Sequence, residues 1–176
     1  MFRVKILLMC VFLFICSACA GDKSDAPQDG ARYMLVSRLN GFCVDVPASS
    51  MEEGRQLILW TINNMKNPSP NQVWRLQAAG ETGGYKIISA QTEMCLSVEG
   101  DSRRDGARIV QLPSAENADS QIWVFTKNGK QYSMRSNSSS KMLTATGYGV
   151  DRGAGLVQFE PIDNADHQAF TLMRVR

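Results

Sequence analysis

Gln72-Val73-Trp74, Gln121-Ile122-Trp123 and Gln168-Ala169-Phe170 are three copies of one short pattern, a glutamine followed two residues later by a large aromatic. From Gln72 to Gln121 is 49 residues and from Gln121 to Gln168 is 47, the near-constant spacing of an internal repeat. The sequence upstream of each copy repeats as well. Gly41-Phe42-Cys43-Val44-Asp45-Val46 and Gly54-Arg55-Gln56-Leu57-Ile58-Leu59-Trp60 precede the first. Met94-Cys95-Leu96-Ser97-Val98 and Gly106-Ala107-Arg108-Ile109-Val110-Gln111-Leu112 precede the second, and Lys141-Met142-Leu143-Thr144-Ala145 and Gly153-Ala154-Gly155-Leu156-Val157-Gln158-Phe159 the third. Each third therefore reads as an apolar strand, a glycine turn, a second apolar strand and the glutamine–aromatic pair.

Short apolar runs punctuated by Gly, Asn, Ser or Pro continue from Tyr33 onward, among them Met34-Leu35-Val36, Tyr85-Lys86-Ile87-Ile88 and Tyr132-Ser133-Met134. Such runs predict an all-β barrel or sandwich, and no stretch sustains a helical period. Four strands per third give twelve strands in three pseudo-symmetric repeats, at about 32–79, 80–129 and 130–176. One third alone cannot close a core, so the three must pack around a common axis.

The chain before the repeats has a different character. Residues 1–19 carry Arg3 and Lys5, an apolar run from Ile6 to Ile15, and then Cys16-Ser17-Ala18-Cys19. A charged start, an apolar centre and a small-residue end predict a secretory signal peptide; a membrane span needs roughly 20 apolar residues. The Ser-Ala-Cys end resembles a lipobox, which implies acylation of Cys19, although Cys16 stands where an aliphatic residue is usual. The alternative is plain secretion after a cut near Ala20. Ala20–Ala31 has no large apolar residue and reads as a flexible tether. The expected location is the outer membrane or cell surface as a lipoprotein, or otherwise the medium or periplasm.

Of 19 Lys and Arg against 17 Asp and Glu, the first 18 residues hold only Arg3 and Lys5, so the remainder balances at 17 against 17. Nucleic acid and anionic lipid surfaces demand clustered positive charge, and they are not the expected partners. Contact with a membrane would run through the lipid anchor only. Cys43 and Cys95 occupy the same position in the first two copies and Met142 fills it in the third. That exchange favours buried thiols, while an exported protein also allows a Cys43–Cys95 disulfide.

The glutamine–aromatic triple, the Cys43-Val44-Asp45-Val46 start and the Gly54-to-Trp60 strand resemble the ricin B-type lectin domain. The likeness covers roughly 32–176 and implies a β-trefoil with Trp74, Trp123 and Phe170 in the core. Each preceding glutamine would then serve loop backbone groups. Sugar binding in that family uses an aspartate, an aromatic further along the repeat, and a polar residue before the motif glutamine. A carboxylate accepts bonds from neighbouring hydroxyls, an aromatic face packs on the C–H face of a pyranose, and an amide both donates and accepts.

Transferred by position, the first repeat holds Asp45, Trp60 and Asn71, with Gln72 behind them. The second holds Ser97, Leu112 and Ser120, and the third Thr144, Phe159 and His167. One carbohydrate site, in the first repeat, is the expectation. Two departures qualify it: Ile58 stands where many family members have glutamine, and the connection from Trp60 to Gln72 is three residues longer than its counterparts. The extra stretch, Asn63 to Pro70, either deepens the pocket or blocks it. The competing reading has Asp45 capping a turn and Trp60 half-buried beneath that loop.

Neither a metal-ligand cluster nor a phosphate loop is evident, and His167 is the sole histidine. No catalytic residues, metal or cofactor are therefore expected, and the chain does not read as an enzyme. The expected partner is a glycan, galactose-like or another saccharide. Two further readings stay open: a protein-binding trefoil subunit of an exported complex, as in the lectin-like lipoprotein subunits of bacterial genotoxins, and a sugar-free inhibitor or spacer.

Overall fold

The computed structural model describes residues 26–176, apart from 82 and 150. Twelve strands follow one another: β1 (Arg32–Ser37), β2 (Cys43–Asp45), β3 (Ile58–Trp60), β4 (Trp74–Ala79), β5 (Gly84–Ser89), β6 (Cys95–Val98), β7 (Ile109–Leu112), β8 (Ile122–Asn128), β9 (Gln131–Ser136), β10 (Met142–Ala145), β11 (Leu156–Phe159) and β12 (Phe170–Val175). Only short 3-10 turns interrupt them among the described residues.

β1 pairs with β12 and β4, β4 with β5, β5 with β8, β8 with β9, and β9 with β12, always antiparallel. That circuit closes a six-stranded barrel and leaves it no free edge. The other six strands form the hairpins β2–β3, β6–β7 and β10–β11. Around the axis these hairpins bind one another through Leu57 N to Ile109 O (2.9 Å), Leu59 N to Ala154 O (2.8 Å) and Gln158 N to Ala107 O (2.9 Å). The architecture is the expected β-trefoil.

Strand formation follows from alternation. In β9, Tyr132, Met134 and Ser136 are buried while their neighbours are not, and in β4 Trp74 and Leu76 point inward. Trp74, Trp123 and Phe170 are fully buried in one cluster with Leu35, Leu76, Ile87 and Met134. Each motif aromatic lies across a barrel seam from a tyrosine: Trp74 opposite Tyr33, Trp123 opposite Tyr85, Phe170 opposite Tyr132. The indoles also tie barrel to hairpin, Trp74 Nε1 donating to Val44 O and Trp123 Nε1 to Leu96 O, both at 3.0 Å.

The motif glutamines do what their amides suit them for. Gln121 accepts from Ala115 N (3.0 Å) and donates to Pro113 O (2.8 Å); Gln168 accepts from Ile162 N (2.9 Å) and donates to Glu160 O (2.8 Å). A second pair of buried glutamines clips one repeat to the next. Gln111 Nε2 donates to Ser50 O and Glu52 O, and Gln158 Nε2 to Ser102 O and Arg104 O. The corresponding residue of the first repeat is Leu59, which has no amide to offer.

Cys43 and Cys95 are buried free thiols, so the disulfide alternative is not realised. Burial, and then the charge of Asp45, pushes the Cys43 thiol up to about 12. The signal peptide expected over 1–19, with Cys19, and the first part of the expected tether lie outside the described residues. The last part of that segment is not loose: Gly30 N donates to Leu76 O (2.8 Å), Asp29 Oδ1 accepts from Ala78 N (2.7 Å), and Tyr85 Oη donates to Pro27 O (3.1 Å). The expectation of a tether running to Ala31 is corrected over 26–31. That stretch lacks apolar bulk, but barrel side chains and backbone supply its polar groups with partners.

Candidate functional site

β2 ends on Asp45 and β3 ends on Trp60, and the β2–β3 register sets Asp45 against Ile58 and Cys43 against Trp60. Asp45 and Trp60 are therefore diagonal neighbours on one face of the hairpin, within reach of a single ligand. The 3-10 turn Pro70–Gln72 brings Asn71 and Gln72 beneath the same carboxylate. Gln72 Nε2 donates to Asp45 Oδ2 at 2.7 Å and Asn71 Nδ2 donates to the same oxygen at 3.0 Å. Gln72 also donates to Thr61 O (2.9 Å) and accepts from Asn63 N (3.0 Å). Both described bonds to Asp45 thus converge on one oxygen, which leaves Oδ1 for a further donor.

Asp45, Asn71 and Trp60 line one cavity of about 810 Å³, with Pro47, Ala48 and Ser49 on one wall and Asn63, Ser69 and Pro70 on another. The structure brings three of the four sequence-predicted residues to that cavity. Gln72 stands behind Asp45, fully buried, and holds it from the rear. Asp45 is itself only 3% exposed, whereas Trp60 is 38% exposed. The long 63–70 connection forms a wall, and the cavity beside it stays open. The volume lies in the range of sites that enclose drug-sized ligands.

Burial pushes the Asp45 carboxyl from 3.8 up to about 6, against the opposing pull of the Gln72 and Asn71 N–H donors. It is nonetheless ionised at neutral pH, a buried negative charge with no ion pair among the described residues and with two amides to orient it. Groups perturbed in this way concentrate at functional sites. The turn after β2 adds a second local tension. Ala48 adopts φ 53° and ψ 25°, a left-handed conformation that glycine occupies at the matching turn residues Gly100 and Gly147.

The other repeats differ as their sequences indicate. Ser97 is buried and turns its hydroxyl to Cys95 O (3.0 Å), and half-buried Leu112 replaces the aromatic. In the third repeat Thr144, Phe159 and His167 do share a cavity, of about 400 Å³, with Val157 and Ile162. Its threonine takes the place of the carboxylate, accepting from Gln168 Nε2 at 3.1 Å.

Sequence reasoning missed Gln91, which enters the first-repeat cavity from the second repeat and donates to Ser49 O at 2.7 Å. It missed Arg152 as well, whose guanidinium carbon lies 6.0 Å from the Trp60 ring centroid. Both come from other repeats, so no local motif announces them. Among the described residues no group of three His, Cys, Asp or Glu side chains is placed to hold a metal ion.

With this geometry, a model of the family described as ricin-type beta-trefoil lectin domain-like matches residues 70–173, more than half of the sequence. The chain belongs to that family. Among solved structures, this ricin-type trefoil is similar to the designed threefold-symmetric protein ThreeFoil, with 28% identity and a TM-score of 0.75, covering 82% of this chain and 99% of that one. It is similar also to an exo-β-1,3-galactanase from Clostridium thermocellum, with 27% identity and a TM-score of 0.76 over 85% of this chain, and it spans 31% of the galactanase's length. A ricin B-like lectin of Macrolepiota procera, solved with lactose, shares the fold at 18% identity and a TM-score of 0.69, covering 84% of this chain and 98% of that one.

Proposed function

We propose that this ricin-type trefoil is a carbohydrate-binding lectin with one glycan site, in its first repeat, and that it works at the bacterial surface on a lipid anchor at Cys19. The observation that carries the reading is the cavity shared by Asp45, Trp60 and Asn71. Asp45 Oδ1 accepts sugar hydroxyls, the exposed indole of Trp60 supplies a face for the apolar side of a pyranose, and Asn71 offers its amide carbonyl. Gln72 fixes the carboxylate. The family, and the lactose held by the Macrolepiota procera lectin, support a galactose-like ligand. Site affinity for a single sugar is low in so open a pocket, so retention depends on many anchored copies acting together.

Titration calorimetry with galactosides and a glycan microarray test the site. Asp45→Ala and Trp60→Ala should each abolish measurable binding while the β-sheet circular dichroism is retained. Unaltered binding in both variants would reject the site.

A second reading has one observation in its favour. Phe159 and Ile162 are 39% and 47% exposed beside the mostly apolar third-repeat cavity, as a protein-docking surface of an exported complex would be. Recovery of a stoichiometric partner that is lost with Phe159→Ser and kept with Trp60→Ala would establish it.

A further inference from the structure

The indole that lines the first-repeat cavity meets a side chain that no part of its own hairpin supplies. The turn before β11 packs on Trp60. A Cβ added at Gly153 would meet the indole edge at 3.7 Å, and φ at Gly153 is +88°. The preceding residue, Arg152, sets its guanidinium 6.0 Å from the ring centroid, near the outer limit of a cation–π contact. Arg152 is exposed, and among the described residues no carboxylate forms an ion pair with it. Among the described residues the aromatic face is the one partner of its guanidinium.

The pseudo-threefold axis supplies the comparison. Gly54 N donates to Gln111 O, Gly106 N to Gln158 O and Gly153 N to Leu59 O, at 2.9, 2.9 and 2.8 Å. These bonds make the three glycines equivalent and place the residue before each of them beside the next repeat's stacking position. The three residues are Glu53 beside Leu112, Asp105 beside Phe159 and Arg152 beside Trp60. Asp105 is engaged, pairing with Lys141 Nζ at 2.8 Å and accepting from Glu160 N at 3.0 Å. Charge is thus reversed, and without an ion pair among the described residues, at the one repeat that keeps a carboxylate, an exposed indole and an amide.

We infer that Arg152 is a specificity-determining residue which selects glycans carrying an anionic substituent, a carboxylate or a sulfate, next to the sugar packed on Trp60. The inference rests on the carbohydrate reading of the first repeat. One indole both borders the cavity and carries the guanidinium, so a saccharide on that ring lies about one sugar's width from Arg152. The planar fork of five donors matches a carboxylate or sulfate in two parallel bonds, which a neutral hydroxyl cannot use. Asp45, deeper in the cavity, repels an anion from its own position and fixes the ligand's orientation, neutral hydroxyls inward and the acidic group toward the third repeat. A cation whose one partner among the described residues is an aromatic face gives up little to form that pair.

The test is titration calorimetry of the native protein, Arg152→Gln and Arg152→Lys with lactose and with its 3′-sulfated, 3′-sialylated and 6′-sialylated counterparts, at low and physiological salt. The native protein should bind at least one acidic glycan about fivefold more tightly than lactose, the scale of an exposed ion pair, with a preference that shrinks as salt rises. Arg152→Gln should erase the preference and leave lactose affinity intact, and Arg152→Lys should keep part of it. The sulfated and sialylated arms separate the two anion types. No preference in the native protein, or an equal loss for neutral and acidic glycans in Arg152→Gln, would overturn the inference and leave Arg152 a support for Trp60. Absence of binding to every galactoside would instead strike the carbohydrate reading beneath it.

Discussion

Asp45→Asn should make the protein more stable and a poorer binder at once. The substitution keeps the side chain's shape and an oxygen that accepts from Gln72 Nε2 and Asn71 Nδ2, and removes the buried charge. Folding raises the carboxyl from 3.8 to about 6, so the folded state binds the proton more tightly than the unfolded chain does. Below about pH 4 both states are protonated and no penalty exists. Between about 4 and 6 the unfolded chain ionises first and stability falls, and above about 6 the loss is complete. The gap between 3.8 and about 6, at about 1.4 kcal/mol per tenfold, amounts to ~3 kcal/mol. Asp45→Asn should recover most of that at pH 7.5, roughly 6–12 °C in Tm for a domain of this size. Urea unfolding followed by circular dichroism, native against variant at pH 7.5, 6 and 4.5, measures it, and other carboxylates cancel in the difference. A variant no more stable at pH 7.5, or a gain that does not shrink toward pH 4.5, would refute the reasoning. The same variant should bind lactose at least tenfold more weakly, the signature of a residue kept for function at the expense of stability.

Glycan affinity of the native protein should fall about tenfold between pH 7.5 and pH 5 as Asp45 takes up its proton, and Asp45→Asn should show no such dependence by calorimetry. Trp74→Ala should cost roughly 3–5 kcal/mol in urea unfolding through loss of a fully buried aromatic, and Trp123→Phe about 1–3 kcal/mol, chiefly from the unpaired Leu96 carbonyl. A thiol-specific disulfide reagent should leave Cys43 and Cys95 unreacted in the folded protein and titrate both in denaturant, with no mass change on reduction; rapid reaction of either under native conditions would contradict their burial.

Much of the trefoil is legible along the chain because its repeating unit is local. Gln72-Val73-Trp74 and its two successors mark where a loop closes and a barrel strand begins, and the alternation in Gln131–Ser136 shows which face turns inward. The matching tyrosines, Tyr33, Tyr85 and Tyr132, become partners of the motif aromatics only when the barrel closes. Asp45, Trp60 and Asn71 are readable as a set because they share one repeat. That Gln72 faces away from the cavity, and that the 63–70 loop walls it without filling it, depends on how a 3-10 turn and a two-proline connection settle.

What the sequence determined by itself is the threefold repeat, the all-β class and the one repeat that retains an acid, an indole and an amide, since each is encoded within about 50 neighbouring residues. What only the tertiary structure decided is the company those residues keep. Gln91 and Arg152 arrive from the second and third repeats because closure about the axis sets each hairpin against the turn of another repeat, and the elevated Asp45 carboxyl arises from burial that no linear pattern records. Contacts between repeats are products of closure, and closure is a property of all three thirds together.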